Sequence, residues 1–226
     1  MTAGSERSIA SVLVAGTTGL VGRALISLLE TDPAVGLVHA LLRRAAVDVP
    51  HHPKLHLHLV DFHALPALPP VDAAFCGLGT TIKIAGSKDA FREVDFDHVV
   101  SVAKAAHAAG AKCFAVVSAL GANAQSAVFY NRVKGEMEAA VARIGFDCLV
   151  ILRPSLLIGD RSGLGQPTRP GEWLAQRVLE PLAPVLPAAV RPIPAATVAR
   201  AMIRAVRHTK PGVRVIESAG LWALGR

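Results

Sequence analysis

Apolar and polar positions follow two alternating patterns along roughly the first 150 residues. Short apolar runs alternate with longer segments in which apolar residues recur every three or four positions, and these patterns predict strands and helices respectively. The strands are predicted at residues 9–15, 37–42, 55–59, 71–76, 112–117 and 147–152, and the helices at 24–29, 88–109 and 127–144, with a loop at 82–88. Regular strand–helix alternation is typical of a doubly wound parallel sheet, so we expect an α/β fold.

The last third of the chain is less regular. Residues 159–171 are rich in glycine and read as a loop, and residues 172–179 are compatible with a short helix. Prolines between 181 and 194 exclude a continuous helix, because proline lacks the backbone N–H and clashes with the preceding turn. A helix over 197–208 and a strand over 213–217 follow. We therefore expect one domain over residues 1–226, with residues 155–212 contributing a small cap over the substrate.

A glycine-rich turn joins the first strand to the first helix. Gly16, Gly19 and Gly22 have the spacing G-x-x-G-x-x-G. Such glycines allow a tight turn, a close approach of pyrophosphate to the backbone, and close helix–strand packing, and the helix N-terminus attracts an anion. The alternative is an ordinary turn that uses glycine for packing only. A Rossmann-type dinucleotide site would take its contacts here from Gly16, Thr17, Thr18, Gly19, Leu20 and Val21.

The second predicted strand ends in two arginines. In a Rossmann unit the end of this strand faces the adenosine ribose, and an acidic residue there favours NAD(H). This chain instead places Arg43 and Arg44 at that point, and guanidinium groups form charge-assisted hydrogen bonds with phosphate. We therefore predict NADP(H) as the cofactor. The alternative is a pair of exposed loop arginines without a ligand.

Three further strand ends contribute to the predicted cofactor site, because the carboxyl ends of parallel strands meet at one edge of the sheet. Asp61 and Phe62 follow the third strand and are placed to meet the adenine. A second glycine-rich loop follows the fourth strand and would run beside the ribose and phosphates. The residues assigned to the cofactor from this loop and from the end of the sixth strand are Gly77, Leu78, Gly79, Thr80, Pro154, Ser155 and Leu156.

Histidines are concentrated around the third strand, where residues 51–63 contain five of them. A metal site is conceivable there. His56 and His58 alternate with leucines, however, as in an edge strand with one wetter face. No cysteine or acidic cluster completes a ligand set at familiar spacing, so we expect no metal.

Three polar side chains have the spacing of an acid–base site. Tyr130 and Lys134 are separated by four positions on a predicted helix and therefore share one face. A neighbouring ammonium favours the phenolate, which makes a tyrosine a usable proton donor or acceptor near neutral pH. Ser118 ends the fifth strand, where its hydroxyl could orient a substrate carbonyl. The alternative for the Tyr–Lys pair alone is an exposed helical pair, but Tyr130 is the only tyrosine of the chain.

These motifs resemble the short-chain dehydrogenase/reductase superfamily. The resemblance is to the atypical branch that contains the HIV Tat-interacting oxidoreductase and its small bacterial relatives. It implies a Rossmann fold, NADP(H) binding and a catalytic triad carried here by Ser118, Tyr130 and Lys134. Besides the glycine turn and the triad, the similar segments are residues 77–81, 91–95, 118–122, 134–136 and 152–155.

One position departs from the superfamily pattern. Typical members place an asparagine of a proton relay on the helix before the fifth strand, where this chain has Asp95. The main expectation is an oxidoreductase that transfers hydride to or from a small carbonyl or alcohol. Two alternatives stay open: a sugar-nucleotide epimerase or dehydratase, which shares the triad, and an NADPH-sensing regulatory or scaffold protein whose triad is idle.

Charge and cysteine usage narrow the expected partners. Residues 153–226 contain 11 basic and 4 acidic residues and so carry the whole net charge of +7. A basic surface can meet nucleic acid, but the aromatic residues needed for base stacking are sparse there, and we consider nucleic acid unlikely. None of the three cysteines forms a C-x-x-C pair. No apolar stretch is long enough to cross a bilayer, so we expect a cytoplasmic monomer or homodimer with a small-molecule substrate.

Overall fold

Seven parallel strands form the central sheet of the computed structural model, which describes residues 9–44, 52–159, 186–208 and 210–226. A separate pair of short parallel strands, β7 and β8, lies after the sixth strand. The strands are β1 Ser11–Ala15, β2 Leu37–Leu42, β3 Leu55–Leu59, β4 Ala73–Cys76, β5 Cys113–Val117, β6 Cys148–Arg153, β7 Leu157–Ile158, β8 Ile193–Pro194 and β9 Gly212–Glu217.

Helices connect most of these strands and cover both faces of the sheet. A π-helical turn, Glu93–His98, joins two of them into one long helical segment. The helices of the described residues are α1 Leu20–Thr31, α2 Ile82–Ala85, α3 Lys88–Arg92, α4 Val99–Ala108, α5 Phe129–Ala142, α6 Ala195–His208 and α7 Ser218–Leu224.

The core is divided by the sheet into two apolar clusters. Successive residues of a strand point to opposite faces. In β1, Val12 and Val14 accordingly pack with α1 and α6, while Leu13 and Ala15 pack with α4 and α5. The central strands are buried on both faces, which explains why they are continuous apolar runs and do not alternate between apolar and polar residues. The predicted α/β Rossmann-type fold is confirmed.

Strand order fixes the position of the ligand site. The order is β3-β2-β1-β4-β5-β6-β9. The chain adds β2 and β3 on one side of β1, and then returns to add β4, β5, β6 and β9 on the other side. Loops leaving β1 and β4 diverge at this reversal and leave a crevice at the carboxyl ends of the two strands. Both glycine-rich loops begin here, because Gly16 directly follows β1 and Gly77 directly follows β4.

Two local predictions were wrong. The loop predicted at residues 82–88 contains α2, whose first turn is capped by the Thr81 hydroxyl accepting from the Ile84 N–H at 3.3 Å. Gly86 ends this helix with a positive φ of 89°, which glycine adopts without strain. The single helix predicted at 88–109 is interrupted by the π-helical turn. A π-helical turn adds a residue without changing which residue types are used, so apolar spacing alone did not reveal it.

The described residues of the segment predicted as a cap, residues 155–212, lie partly in the core beside the sheet and partly at the border of the crevice. α6 packs against α1 and contributes to the core on one face of the sheet. Residues 155–157 and Val190 border the crevice described below. Residues 160–185, which include most of the loop predicted at 159–171 and the helix predicted at 172–179, lie outside the described residues. The cap itself stays a prediction.

Within the described part of the chain, no helix combines the length and the apolar character that a bilayer crossing requires.

Candidate active site

A cavity of about 480 Å³ opens at the carboxyl ends of the central strands. It is bounded by the N-terminus of α1, the loop after β4, the ends of β5 and β6, and the first turns of α5. Thirteen of the residues predicted for the site line it. They are Gly19, Leu20, Val21, Gly77, Leu78, Gly79, Thr80, Ser118, Tyr130, Lys134, Pro154, Ser155 and Leu156.

The turn after β1 is packed so closely that two of its positions accept only glycine. Gly16 has φ +81°, and a Cβ there would lie 2.5 Å from the Gly77 carbonyl carbon. A Cβ on Gly22 would lie 2.0 Å from the Gly16 carbonyl oxygen. Because these contacts are with backbone, no side-chain movement could relieve them. Glycine therefore brings α1 against β1 and the first glycine-rich loop against the second.

The N-terminus of α1 points its backbone N–H groups at the cavity. Gly19 is the N-cap residue in an extended conformation and forms no side-chain cap hydrogen bond. The next two residues, Leu20 and Val21, line the cavity. An uncapped helix N-terminus offers unsatisfied N–H donors and the positive end of the helix dipole, which together form a site for an anion such as pyrophosphate.

The two threonines of this turn lie outside the cavity lining. Thr17 is buried, and its hydroxyl donates to the Leu41 carbonyl at 3.3 Å, which ties the turn to the end of β2. Thr18 is exposed on the turn. The structure thus gives Thr17 a supporting contact behind the glycine loop.

A buried ion pair between Lys134 and Asp95 lines the cavity. Lys134 Nζ lies 2.7 Å from Asp95 Oδ1, and both side chains are almost fully buried. The second carboxylate oxygen of Asp95 accepts a hydrogen bond from the Thr80 backbone N–H at 2.8 Å. Burial alone would lower the pKa of Lys134, but the charge of Asp95, with a smaller contribution from Tyr130, holds this pKa above its ordinary value. Lys134 is therefore a protonated ammonium at neutral pH.

Tyr130 and Lys134 are one helical turn apart on α5, and both line the cavity. Tyr130 is half-buried, and its ring packs on Phe91 with the ring centroids 5.2 Å apart. This aromatic contact restricts the ring to one orientation in the wall of the cavity. A phenol and an ammonium therefore face the same enclosed space.

Ser118 begins a chain of polar contacts that leads out of the cavity. Its hydroxyl donates to Glu138, and Arg153 donates to both oxygens of the Glu138 carboxylate at 3.0 and 2.6 Å. Arg153 also donates to Glu217 at 3.0 Å. Hydrogen bonding to Glu138 raises the pKa of Arg153; burial opposes this shift, and the charge of Glu138 adds to it. The orientation of Ser118 is thus set by a buried carboxylate that is itself held by an arginine.

Sequence reasoning missed Glu138, although a signal was present. Tyr130, Lys134 and Glu138 follow one another at four-residue intervals and lie on one face of α5. Glu138 lies behind Ser118 and outside the cavity lining, and the lining residues that were missed carry no chemical signature that a sequence motif could reveal. They are Thr81, Val117, Ala119, Leu120, Leu157 and Val190.

Besides Gly16 and the two threonines of the first turn, four further predicted cofactor residues lie outside the cavity lining. Arg43 and Arg44 are exposed directly after β2. Asp61 is exposed, and its carboxylate accepts a hydrogen bond from the His63 backbone N–H at 2.9 Å. Phe62 is buried and packs on His98 with the ring centroids 5.5 Å apart. Their roles toward a cofactor stay predictions.

The chain is similar to several curated proteins along most of its length. It is 35% identical to Protein HTATIP2 of Rattus norvegicus over 96% of this chain and 89% of that protein. It is 33% identical to Protein FMP52, mitochondrial, of Candida albicans over 76% of this chain and 82% of that protein. No protein-family model matches the chain.

Solved structures show the same fold at low sequence identity. MoeE5 in complex with UDP-glucose and NAD has a TM-score of 0.66 at 16% identity and covers 92% of this chain and 76% of its own. The UDP-N-acetylglucosamine 4-epimerase from Methanobrevibacter ruminantium has a TM-score of 0.69 at 15% identity, over 93% of this chain and 77% of its own.

The expected cytoplasmic location is contradicted by the names of these relatives. The similar proteins of Candida albicans and Emericella nidulans are both named as mitochondrial. Composition and cysteine usage do not distinguish reducing compartments from one another, so they carried no information on this point.

Proposed function

Because the chain belongs to the family of Protein HTATIP2, an atypical branch of the short-chain dehydrogenase/reductases, we propose that it is an NADP(H)-dependent oxidoreductase acting on a small carbonyl or alcohol. One observation carries the proposal. The uncapped N-terminus of α1, both glycine-rich loops, Ser118, Tyr130 and Lys134 all border a single cavity. That cavity combines an anion site with an acid–base pair.

In this proposal the cofactor pyrophosphate binds at the first turn of α1. Leu20 and Val21 contribute backbone N–H groups, and the glycine at position 19 leaves room for the phosphate oxygens. The exposed guanidinium groups of Arg43 and Arg44 at the end of β2 are available for the 2′-phosphate. This phosphate contact is the reason for proposing NADP(H) rather than NAD(H).

Tyr130 is the proposed proton donor and acceptor. Its side chain lines the cavity together with Lys134, which follows it by one helical turn on α5. The ion pair with Asp95 keeps the ammonium of Lys134 protonated and fixed at this wall of the cavity. The nicotinamide of the bound cofactor would supply or accept the hydride at the substrate carbon, and Tyr130 would donate or accept the proton at the oxygen bonded to that carbon.

Ser118 is the proposed orienting residue for the substrate oxygen. Its proton is donated to Glu138, so its oxygen keeps lone pairs for a hydroxyl on the cavity side. This arrangement suits an alcohol, which is the substrate of the oxidation and the product of the reduction. Because Arg153 holds Glu138 at two oxygens, the hydroxyl of Ser118 is oriented before substrate arrives.

The cavity wall supports a small, apolar substrate. Leu120, Leu156, Leu157 and Val190 border the space beside Tyr130 and Ser118. Described residues on this side offer few charges that would bind a nucleotide diphosphate in addition to the cofactor. We therefore favour a small aldehyde, ketone or quinone over a sugar nucleotide.

The test combines a cofactor titration with an NADPH-oxidation screen over aldehydes, ketones and quinones. With the best substrate found, Tyr130→Phe should keep NADPH binding within about threefold and lower kcat by roughly 10²- to 10⁴-fold, the usual contribution of general acid–base catalysis. Thr31→Val is the matched control, because it removes a hydroxyl from the far end of α1. It should change neither quantity.

Two other outcomes would replace the proposal. Tightly retained cofactor without net NADPH consumption, together with turnover of a sugar nucleotide, would identify an epimerase or dehydratase. NADPH binding with no turnover of any substrate, and with the cellular role intact in Tyr130→Phe, would identify a cofactor-sensing protein.

A further inference from the structure

Three metal-ligating side chains meet outside the cavity, at the carboxyl edge of the sheet. His63 Nε2 lies 3.0 Å from Glu93 Oε1, and His98 Nε2 lies 3.7 Å from the same oxygen. The ligand atoms of all three residues lie within 4.8 Å of one another. His63 belongs to the loop after β3, whereas the other two belong to the π-helical turn. We call these three residues the His–Glu–His cluster.

The π-helical turn explains why two members of the cluster share a face. Glu93 and His98 are five positions apart, and a π-helix closes its hydrogen bonds between positions i and i+5. In an α-helix, residues five apart point in clearly different directions. The rare turn therefore puts a carboxylate next to an imidazole, and π-turns of this kind occur frequently at functional sites.

His98 provides an independent sign that a ligand is missing. Its side chain is only 5% exposed, yet its Nε2 has no hydrogen-bond partner among the described residues. A buried ring nitrogen without a partner is costly and rare in folded proteins. Its ring is fixed between Phe62 and His63, with centroids 5.5 and 4.8 Å away, so the nitrogen is held toward Glu93.

We propose that His63, Glu93 and His98 bind one divalent transition-metal ion, with Zn²⁺ as the best match. Zinc–nitrogen and zinc–oxygen bonds of about 2.0–2.1 Å in a tetrahedron place the ligand atoms about 3.3 Å apart. The separations of 3.0 and 3.7 Å from Glu93 Oε1 to the two histidine nitrogens bracket this value, and all three ligand atoms lie within 4.8 Å of one another. Two imidazoles and one carboxylate form a common zinc ligand set, with water in the fourth position.

The electrostatic surroundings are compatible with a cation. Glu93 and Asp97 supply negative charge at the site, and Arg43 supplies positive charge. A metal ion would be the direct partner of both histidine nitrogens and of Glu93.

Zinc in this cluster would stabilise the turn that supports the active site. The π-helical turn also contains Asp95, which holds Lys134. The ion would link this turn to the loop after β3, and no member of the cluster lines the cavity. We therefore assign the ion a structural role outside the chemistry.

The test is a zinc titration of the untagged, full-length protein after removal of metal with a chelator. Calorimetry should show one Zn²⁺ per chain, and Co²⁺ should give the intense visible absorption of a tetrahedral site. His63→Ala and Glu93→Gln should each weaken Zn²⁺ binding at least tenfold. Because His63 is exposed and Glu93 is partly exposed, both variants should keep the fold and NADPH binding.

His56→Ala is the matched control, because His56 is an exposed histidine of β3 that also lies near two other histidines. It should bind Zn²⁺ like the unmodified protein. Absence of stoichiometric zinc, or zinc binding that His63→Ala leaves unchanged, would overturn the proposal. Binding lost only in His56→Ala would place the ion among His39, His56 and His58 and would also overturn it. No substrate is needed, so the result is independent of the proposed activity.

Discussion

At the scale of single residues, the most consequential contact is the ion pair between Lys134 and Asp95. Removing two charges from water is costly, and the cost is recovered only when both are well paired. The 2.7 Å contact and the Thr80 N–H provide that pairing. Typical members of the superfamily place an asparagine in this region, so this chain replaces a neutral amide by a charge that meets Lys134 directly.

We predict that Asp95→Asn destabilises the protein by about 3–5 kcal/mol at neutral pH, because it leaves the ammonium of Lys134 buried without a countercharge. The raised pKa of Lys134 stabilises the fold fully below the unfolded value near 10.5, and this contribution is lost as pH rises through the folded pKa. In the variant, burial without Asp95 lowers the pKa of Lys134, so the variant loses this charge at a lower pH than the unmodified protein does. The difference in stability should therefore shrink as pH rises from neutrality towards 10.5 and beyond.

Urea unfolding at neutral and alkaline pH measures this difference. Asp89→Asn is the control, because Asp89 is an exposed acidic residue in the first turn of α3. It should change the free energy of unfolding by less than about 0.5 kcal/mol. An Asp95→Asn protein as stable as the unmodified one would show that the ion pair contributes nothing net.

Cofactor preference is also decided by single residues. The double variant Arg43→Ala/Arg44→Ala should lower affinity for NADPH at least tenfold and leave affinity for NADH nearly unchanged. Hydrogen bonds to charged groups contribute about 1.5–3 kcal/mol each, and only NADPH carries the 2′-phosphate. Fluorescence titration with both cofactors measures the ratio.

Arg143→Ala is the control for removing an exposed arginine away from the cavity. Arg143 is exposed at the C-terminal end of α5, at the sheet edge opposite the cavity. Its removal should leave the cofactor ratio unchanged. An unaltered ratio in the double variant, or a preference of the unmodified protein for NADH, would refute NADP(H) specificity.

At the scale of elements, the turn from β1 to α1 requires glycine because backbone atoms pack closely around it, and no side-chain contact is involved. The three glycines of the turn are not equivalent. A Cβ on Gly22 would lie 2.0 Å from the Gly16 carbonyl oxygen, whereas one on Gly19 would lie 3.3 Å from that oxygen. The first distance requires the backbone to move, and the second requires an adjustment of a few tenths of an ångström.

We therefore predict that Gly22→Ala lowers stability by at least about 1–3 kcal/mol, the usual cost of overpacking, and weakens NADPH binding at least tenfold. The α1 N-terminus would be pushed away from the glycine loop, so its N–H groups would no longer meet the phosphates. Gly19→Ala is the matched variant for the packing argument and should unfold near the temperature of the unmodified protein, although Gly19 belongs to the proposed phosphate site. Thermal unfolding distinguishes the two variants, and an equal loss of stability would contradict the packing argument.

At the scale of the whole molecule, the central strands are buried on both faces of the sheet, and this burial determines how reactive the cysteines are. Cys76, Cys113 and Cys148 are buried on β4, β5 and β6 and form no disulfide within the described part of the chain. Burial raises the pKa of the Cys76 thiol to about 12. A thiol with such a pKa is almost entirely protonated near neutral pH, and the protonated form is a poor nucleophile.

None of the three cysteines should react with a disulfide reagent in the native protein at mildly alkaline pH, and all three should react after unfolding in guanidinium chloride. Absorbance at the wavelength of the released thiolate counts the reacting groups. Fast reaction of one native cysteine would show that a strand of the central sheet opens more readily than its burial indicates.

The sequence by itself determined the features that depend on neighbours in the chain. Apolar runs with intervening helical spacing defined the strands of the sheet, because burial on both faces requires them. The spacing of Gly16, Gly19 and Gly22 indicated the turn, and the interval from Tyr130 to Lys134 put both side chains on one helix face. Each of these features is encoded within a short segment, where backbone geometry fixes which side chains are adjacent.

Only the tertiary structure decided which distant residues meet. Asp95 contacts Lys134, Ser118 contacts Glu138, and His63 contacts Glu93 of the π-helical turn, although no spacing in the sequence indicated these contacts. The histidine-rich segment offered no complete ligand set by itself, and the fold supplies the missing carboxylate and imidazole. The physical reason is that buried charges and lone pairs are satisfied by whatever the packing brings within about 3 Å, and packing is a property of the whole molecule.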